Sequence, residues 1–176
     1  MNRGKLAVLA MLLLGVGLAA FALWWNVTSG RRTLEYWGRE GGARIIDEKA
    51  TVELLWLAPA ADGEEGEQFS IGQRDYTVTS RVDVTGTRGL VHARHSLLED
   101  ASFEWDAAAT EGNYTLAARF RDASGTTTVA FDFAREQLAY VESGQERKAA
   151  AKIVAGWNTF AQRHSPRKEG SESKQK

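Results

Sequence analysis

The chain has 176 residues, no cysteine, and 22 basic side chains against 23 acidic ones. Without cysteine there can be no disulfide, thiolate metal site or cysteine nucleophile. The near-neutral balance argues against nucleic acid as a partner, since a duplex binder carries a basic excess.

Residues 1–5 are a short basic N-terminus containing Arg3 and Lys5. From Leu6 to Val27 no side chain is charged. A helix of that length, at about 1.5 Å per residue, matches a hydrocarbon core of roughly 30 Å. Trp24 and Trp25 close the run, where indoles favour the membrane–water interface. The expectation is a single-pass transmembrane signal-anchor helix over residues 6–27, in contact with the lipid bilayer. Its C-terminal portion would lie outside the cytoplasm, in the periplasm if the cell is bacterial. Ala20-Phe21-Ala22 also fits a signal-peptidase pattern, so cleavage after Ala22 is the alternative. Residues 30–166 then read as one extracytoplasmic domain, and residues 167–176 as a disordered polar tail.

Residues 31–46 read as a weak helix with Leu34, Trp37, Gly41 and Ile45 on one face. Gly38, Gly41 and Gly42 each weaken it by about 1 kcal/mol relative to alanine. Either it breaks at Gly41-Gly42 or those glycines admit another element. The dense apolar run from Val52 to Leu57 is a strand that Pro59 ends. The next stretch carries Asp62, Glu64, Glu65 and Glu67; it reads as a solvated loop, since it lacks the ligand register of a calcium loop. From Asp75 to Val84 apolar and polar residues alternate, with Tyr76, Val78, Val82 and Val84 expected on one face.

Residues 88–101 read as a helix with an apolar arc of Leu90, Val91, Leu97, Leu98 and Ala101. Arg94 falls inside that arc, where an unpaired guanidinium is costly. The ordinary reading is a satisfied ion pair, with Asp83, Glu104, Asp106 or Asp132 as partner. The functional reading is an arginine that binds a carboxylate, a phosphate or a lipid headgroup. His92, His95 and Glu99 lie within about 60° of one another on the polar flank of such a helix. Two histidines and a carboxylate can ligate zinc or another divalent metal. The ordinary reading is a polar helix surface, since HARH is not the HExxH of metalloproteases.

Tyr114, Leu116, Ala118 and Phe120 share one face of a strand, Asp122 to Gly125 makes a turn, and Thr127, Val129, Phe131 and Phe133 share a face of the next strand. Leu138 and Tyr140 mark a short one after it. Ser143 to His164 reads as a helix, with Ser143 and Glu146 as a capping box and Ala150, Ile153, Val154, Trp157, Phe160 and Ala161 as its buried stripe. Ser165-Pro166 ends it.

The fold class expected is α+β: the N-terminal transmembrane helix, then an antiparallel sheet of about five strands with helices packed on one face. No nucleophile elbow, P-loop or dinucleotide fingerprint is present. The reading is therefore a non-enzymatic, membrane-anchored envelope domain that binds a protein partner or a small ligand. The alternatives are a metal-binding protein or hydrolase built on His92 and His95, and anion or lipid binding through Arg94.

Overall fold

A computed structural model describes residues 3–28, 31–61 and 66–166. The helices are α1 (Arg3–Thr28), α2 (Arg31–Ile46), α3 (Leu90–Ser96) and α4 (Ala151–Arg163). The strands are β1 (Thr51–Pro59), β2 (Gln68–Ile71), β3 (Arg74–Asp83), β4 (Leu116–Asp122), β5 (Gly125–Asp132), β6 (Gln137–Tyr140) and β7 (Gln145–Lys148). A 3-10 turn covers Asp100–Ser102.

Seven strands form one antiparallel sheet in the order β2-β3-β1-β4-β5-β6-β7. This corrects the expected five. The two missed strands, β2 and β7, are the outermost, each four residues long. QFSI and QERK are too short and too polar to show a clear period of two.

The anchor is also corrected. Among the described residues no helix is long and apolar enough to cross a membrane. Among the described residues, helix α1 contributes nothing to either core of the domain. Its apolar side chains, Leu9, Leu12, Phe21 and Trp24 among them, stand exposed. The transmembrane, single-pass and signal-anchor readings of residues 6–27 are therefore not supported. Of the acidic loop, Asp62, Glu64 and Glu65 lie outside the described residues, as does the tail 167–176.

Helices α2, α3 and α4 share one face of the sheet. Val52 and Leu54 of β1, Leu116 and Phe120 of β4 and Phe131 of β5 pack there against Trp37, Ile45, Leu97 and Trp157. Burying side chains of this size stabilises a fold by about 1.5–3 kcal/mol each. The opposite face holds a second, helix-free core of Leu55, Leu57, Ile71, Tyr76, Tyr114 and Ala117. The sheet can bury both faces because it curls. An ideal Cβ on Gly72, in the β2–β3 turn, would lie 2.6 Å from Glu146 of β7, so opposite edges of the sheet approach each other.

A bulge explains why β3 departs from strict alternation. Trp56 pairs with Ser80, but Leu57 pairs with Val78, leaving Thr79 as an extra residue. An inserted residue reverses the facing of everything beyond it. Tyr76 and Val78 therefore enter the helix-free core, while Val82 and Val84 face the helices.

Two helices also differ from expectation. Helix α2 breaks at Gly38, which has φ 67° and ψ 164°. Gly41 is instead a point of close approach, its ideal Cβ falling 3.0 Å from the Tyr140 hydroxyl. Helix α4 begins at Ala151 rather than Ser143, because Gly144 at φ 68° turns β6 back into β7. Ser143 and Glu146 are hairpin residues, not a capping box.

Candidate functional site

Helices α3 and α4 lie side by side on the sheet. Gly89, at φ 93°, precedes α3 and turns the chain into it. After Ser96, the amides of Leu97 and Leu98 bond back to Arg94 and His95 in a tightening last turn. The periodic apolar stripe of α4 brings Val154, Trp157, Phe160 and Ala161 onto the core. Trp157 is 1% exposed, lies tilted with its ring centre 4.7 Å from that of Phe131, and donates its indole N–H to Ser96 Oγ at 3.3 Å. Ser96 in turn donates to the Ala93 carbonyl at 2.7 Å, so its hydroxyl is fully engaged in joining the helices.

The two helices do not close completely. Between them runs a groove of about 440 Å³, within the size range of small-molecule sites. Its apolar lining comes from Ala93, Ile153, Gly156, Trp157 and Phe160. Arg88, His92, Lys152 and Arg163 also line it. Among the described residues no carboxylate lines the groove, and neither Arg88, Lys152 nor Arg163 forms an ion pair.

Gly156 matters to this shape. An ideal Cβ built there meets nothing within 4 Å, and its backbone is helical. Neither packing nor dihedral strain requires a glycine, although glycine costs a helix interior about 1 kcal/mol relative to alanine. What the missing side chain does is leave the groove open.

No protein family, curated protein or solved structure matches this chain. The groove's own residues are then the guide to its chemistry. They offer apolar surface and uncompensated positive charge, a combination that attracts an anion carrying an apolar body.

The residues singled out from sequence are dispersed. His92 reaches the groove; His95 is exposed and does not line it. Glu99 lies beyond α3 with extended backbone at φ −88° and ψ 128°, so the helical spacing that linked it to the histidines is absent. Among the described residues no three His, Asp or Glu side chains gather as a metal site.

Arg94 is buried, at 4% exposure, and its partners are not the acids expected from sequence. It donates through Nη1 to the Asp47 carbonyl and through Nη2 to the Ala50 carbonyl, the latter at 2.8 Å. Its guanidinium also lies 5.6 Å from the centre of the Phe120 ring. Burial pulls its pKa below the ordinary arginine value, opposed by the charges of Asp47 and Glu48. Arg94 thus ties down the chain leaving α2, where carbonyls lack helical partners.

Two further buried arginines escaped sequence reading. Arg44 reaches Glu40 at 3.2 Å and Asp122 at 3.4 Å, docking α2 on the β4–β5 turn. Arg119, on the helix-free face, bonds Glu67 and lies 5.1 Å from the centre of the Phe69 ring. Arg44 lies in a weak helix and Arg119 at an outward-reading position of β4, so nothing local distinguishes them from surface cations.

Proposed function

We propose that the domain is a binding module whose ligand is an anionic amphiphile: a carboxylate or phosphate head on an alkyl or aryl body. The supporting observation is the α3–α4 groove, which joins apolar surface to cations without carboxylate partners and is held open at Gly156. The apolar body would lie along Ile153, Trp157 and Phe160, with the head at Arg88, Lys152 or Arg163. Arginine favours oxyanions because its planar fork matches their geometry. The reading requires no reaction, and Ser96 and Trp157, the hydrogen-bonded pair beneath the groove, serve packing.

The test is calorimetric titration of the full chain with decanoate below its micellar concentration, compared with decanol and decyltrimethylammonium. Decanoate should bind, decanol should bind about tenfold or more weakly, and the cation least. Gly156→Leu should block decanoate by filling the groove, while Arg88→Ala with Arg163→Ala should weaken it selectively over decanol. Equal affinity for all three amphiphiles, or an unaffected Gly156→Leu protein, would overturn the proposal.

A further inference from the structure

A second, smaller concavity lies away from the groove, where the first turn of α2 meets β7. It measures about 220 Å³ and is lined by Arg32, Glu35, Tyr36, Trp105, Gln145 and Arg147. That is below the roughly 300–1,000 Å³ of drug-sized pockets, so it suits a ligand of few heavy atoms.

Its charges are unevenly matched. Glu35 is engaged by Arg31 at 3.3 Å, whereas among the described residues neither Arg32 nor Arg147 forms an ion pair. The Arg147 Nε is buried and has no hydrogen-bond partner. A buried, unsatisfied donor on a charged group is among the costlier defects a fold can carry. Glu146, next in sequence, cannot relieve it, because neighbouring strand residues point to opposite faces and Glu146 approaches Gly72.

The walls are rigid and aromatic. Trp105 is fixed by its indole N–H, which donates to the Asp100 carbonyl at 2.9 Å. Tyr36 donates its hydroxyl to the Gln145 carbonyl at 3.0 Å, and burial holds its pKa above the ordinary phenol value. It therefore stays neutral and adds no negative charge. Two arginines less one glutamate leave a single net positive charge.

We propose that this cleft is a binding site for a small carboxylate, held between Arg32 and Arg147 against the rings of Trp105 and Tyr36. A carboxylate is a monoanion whose two oxygens match paired guanidinium N–H donors. Its charge would offset the two unpaired cations, and an aryl carboxylate would also find the aromatic walls. The site shares no lining residue with the α3–α4 groove, so either can fail without the other.

The Arg147 Nε–H gives a direct readout in ¹H–¹⁵N spectra of the full chain, with its resonance assigned by its loss in Arg147→Lys. Sodium benzoate, added at constant ionic strength against chloride, should shift it saturably, with a Kd of about 1 mM or tighter. Arg32→Gln, a change at an exposed position, should weaken that binding about tenfold, and Gly156→Leu should leave it unchanged. No shift with benzoate or acetate, or a shift that Arg32→Gln does not alter, would overturn the assignment. A response to inorganic phosphate alone would overturn the carboxylate.

Discussion

Arg94, Arg119 and Arg44 show how differently a buried guanidinium can be accommodated. Arg94 is held by main-chain oxygens, with its Nε left without a partner. Replacing it with methionine keeps much of the packing on Phe120 but removes the side-chain donor to the Ala50 carbonyl and one of two donors to the Asp47 carbonyl, which keeps the Ala50 N–H. Urea denaturation of Arg94→Met should show a loss of about 2–3 kcal/mol. Arg94→Lys should lose less, keeping one donor and the charge. Arg119 is instead held by a carboxylate, and its hydrogen bond to Glu67 keeps that acid below the usual carboxylate range. The sign follows from a depressed folded pKa: the stabilisation is present above about pH 4.3 and disappears as pH falls through the lowered value. Glu67 is 36% exposed, so solvent screening keeps the effect to about 1 kcal/mol or less. Acid titration of stability should therefore be shallower in Glu67→Gln than in the parent protein. An identical acid limb in both proteins would show that the pair contributes nothing.

At the level of elements, glycines with opposite roles allow a comparison of sign. Gly156 sits in α4 with open space where a Cβ would go. Gly156→Ala should raise stability by about 1 kcal/mol, the ordinary helical difference between the two residues. Gly112 precedes β4, and a Cβ there would fall against the Tyr114 ring and 2.7 Å from Gln137 Nε2. Tyr114 and Gln137 are both buried, so neither can move aside freely. Gly112→Ala should cost about 1–3 kcal/mol, the usual penalty of overpacking. Thermal or urea denaturation of the two variants, measured together, tests both signs. The same local geometry decides where elements begin and end. Gly38 breaks α2, Gly144 turns β6 into β7, and Thr79 shifts β3 by one residue; none of these changes the composition of the segment around it.

At the scale of the molecule, the curl of the sheet has the largest consequences. It produces two cores from one sheet, one covered by helices α2, α3 and α4 and one enclosed by strands. It also brings β7 towards the β2–β3 turn. The exposed apolar helix α1 remains outside both cores among the described residues.

Strands β4, β5 and β6 and the buried stripe of α4 were legible because each repeats a period, and β1 because it is a dense apolar run; Tyr114, expected on the face of Leu116, Ala118 and Phe120, instead precedes β4 and packs in the helix-free core. Val52 and Leu54, Val129 and Phe131, and Val154, Trp157 and Phe160 all face the core that their spacing implies. The α+β class and the antiparallel pairing follow from those periods and short connections. What chain order could not convey was which distant groups meet. Arg94 finds carbonyls rather than acids, Glu99 leaves the helix that carries His92 and His95, and Arg88 and Arg163 come to line one groove although far apart in sequence. Periodicity is a property of neighbours along the chain, whereas a site is a property of neighbours in space. Only the packing of α3 against the chain after α2 and beside α4 made these residues neighbours.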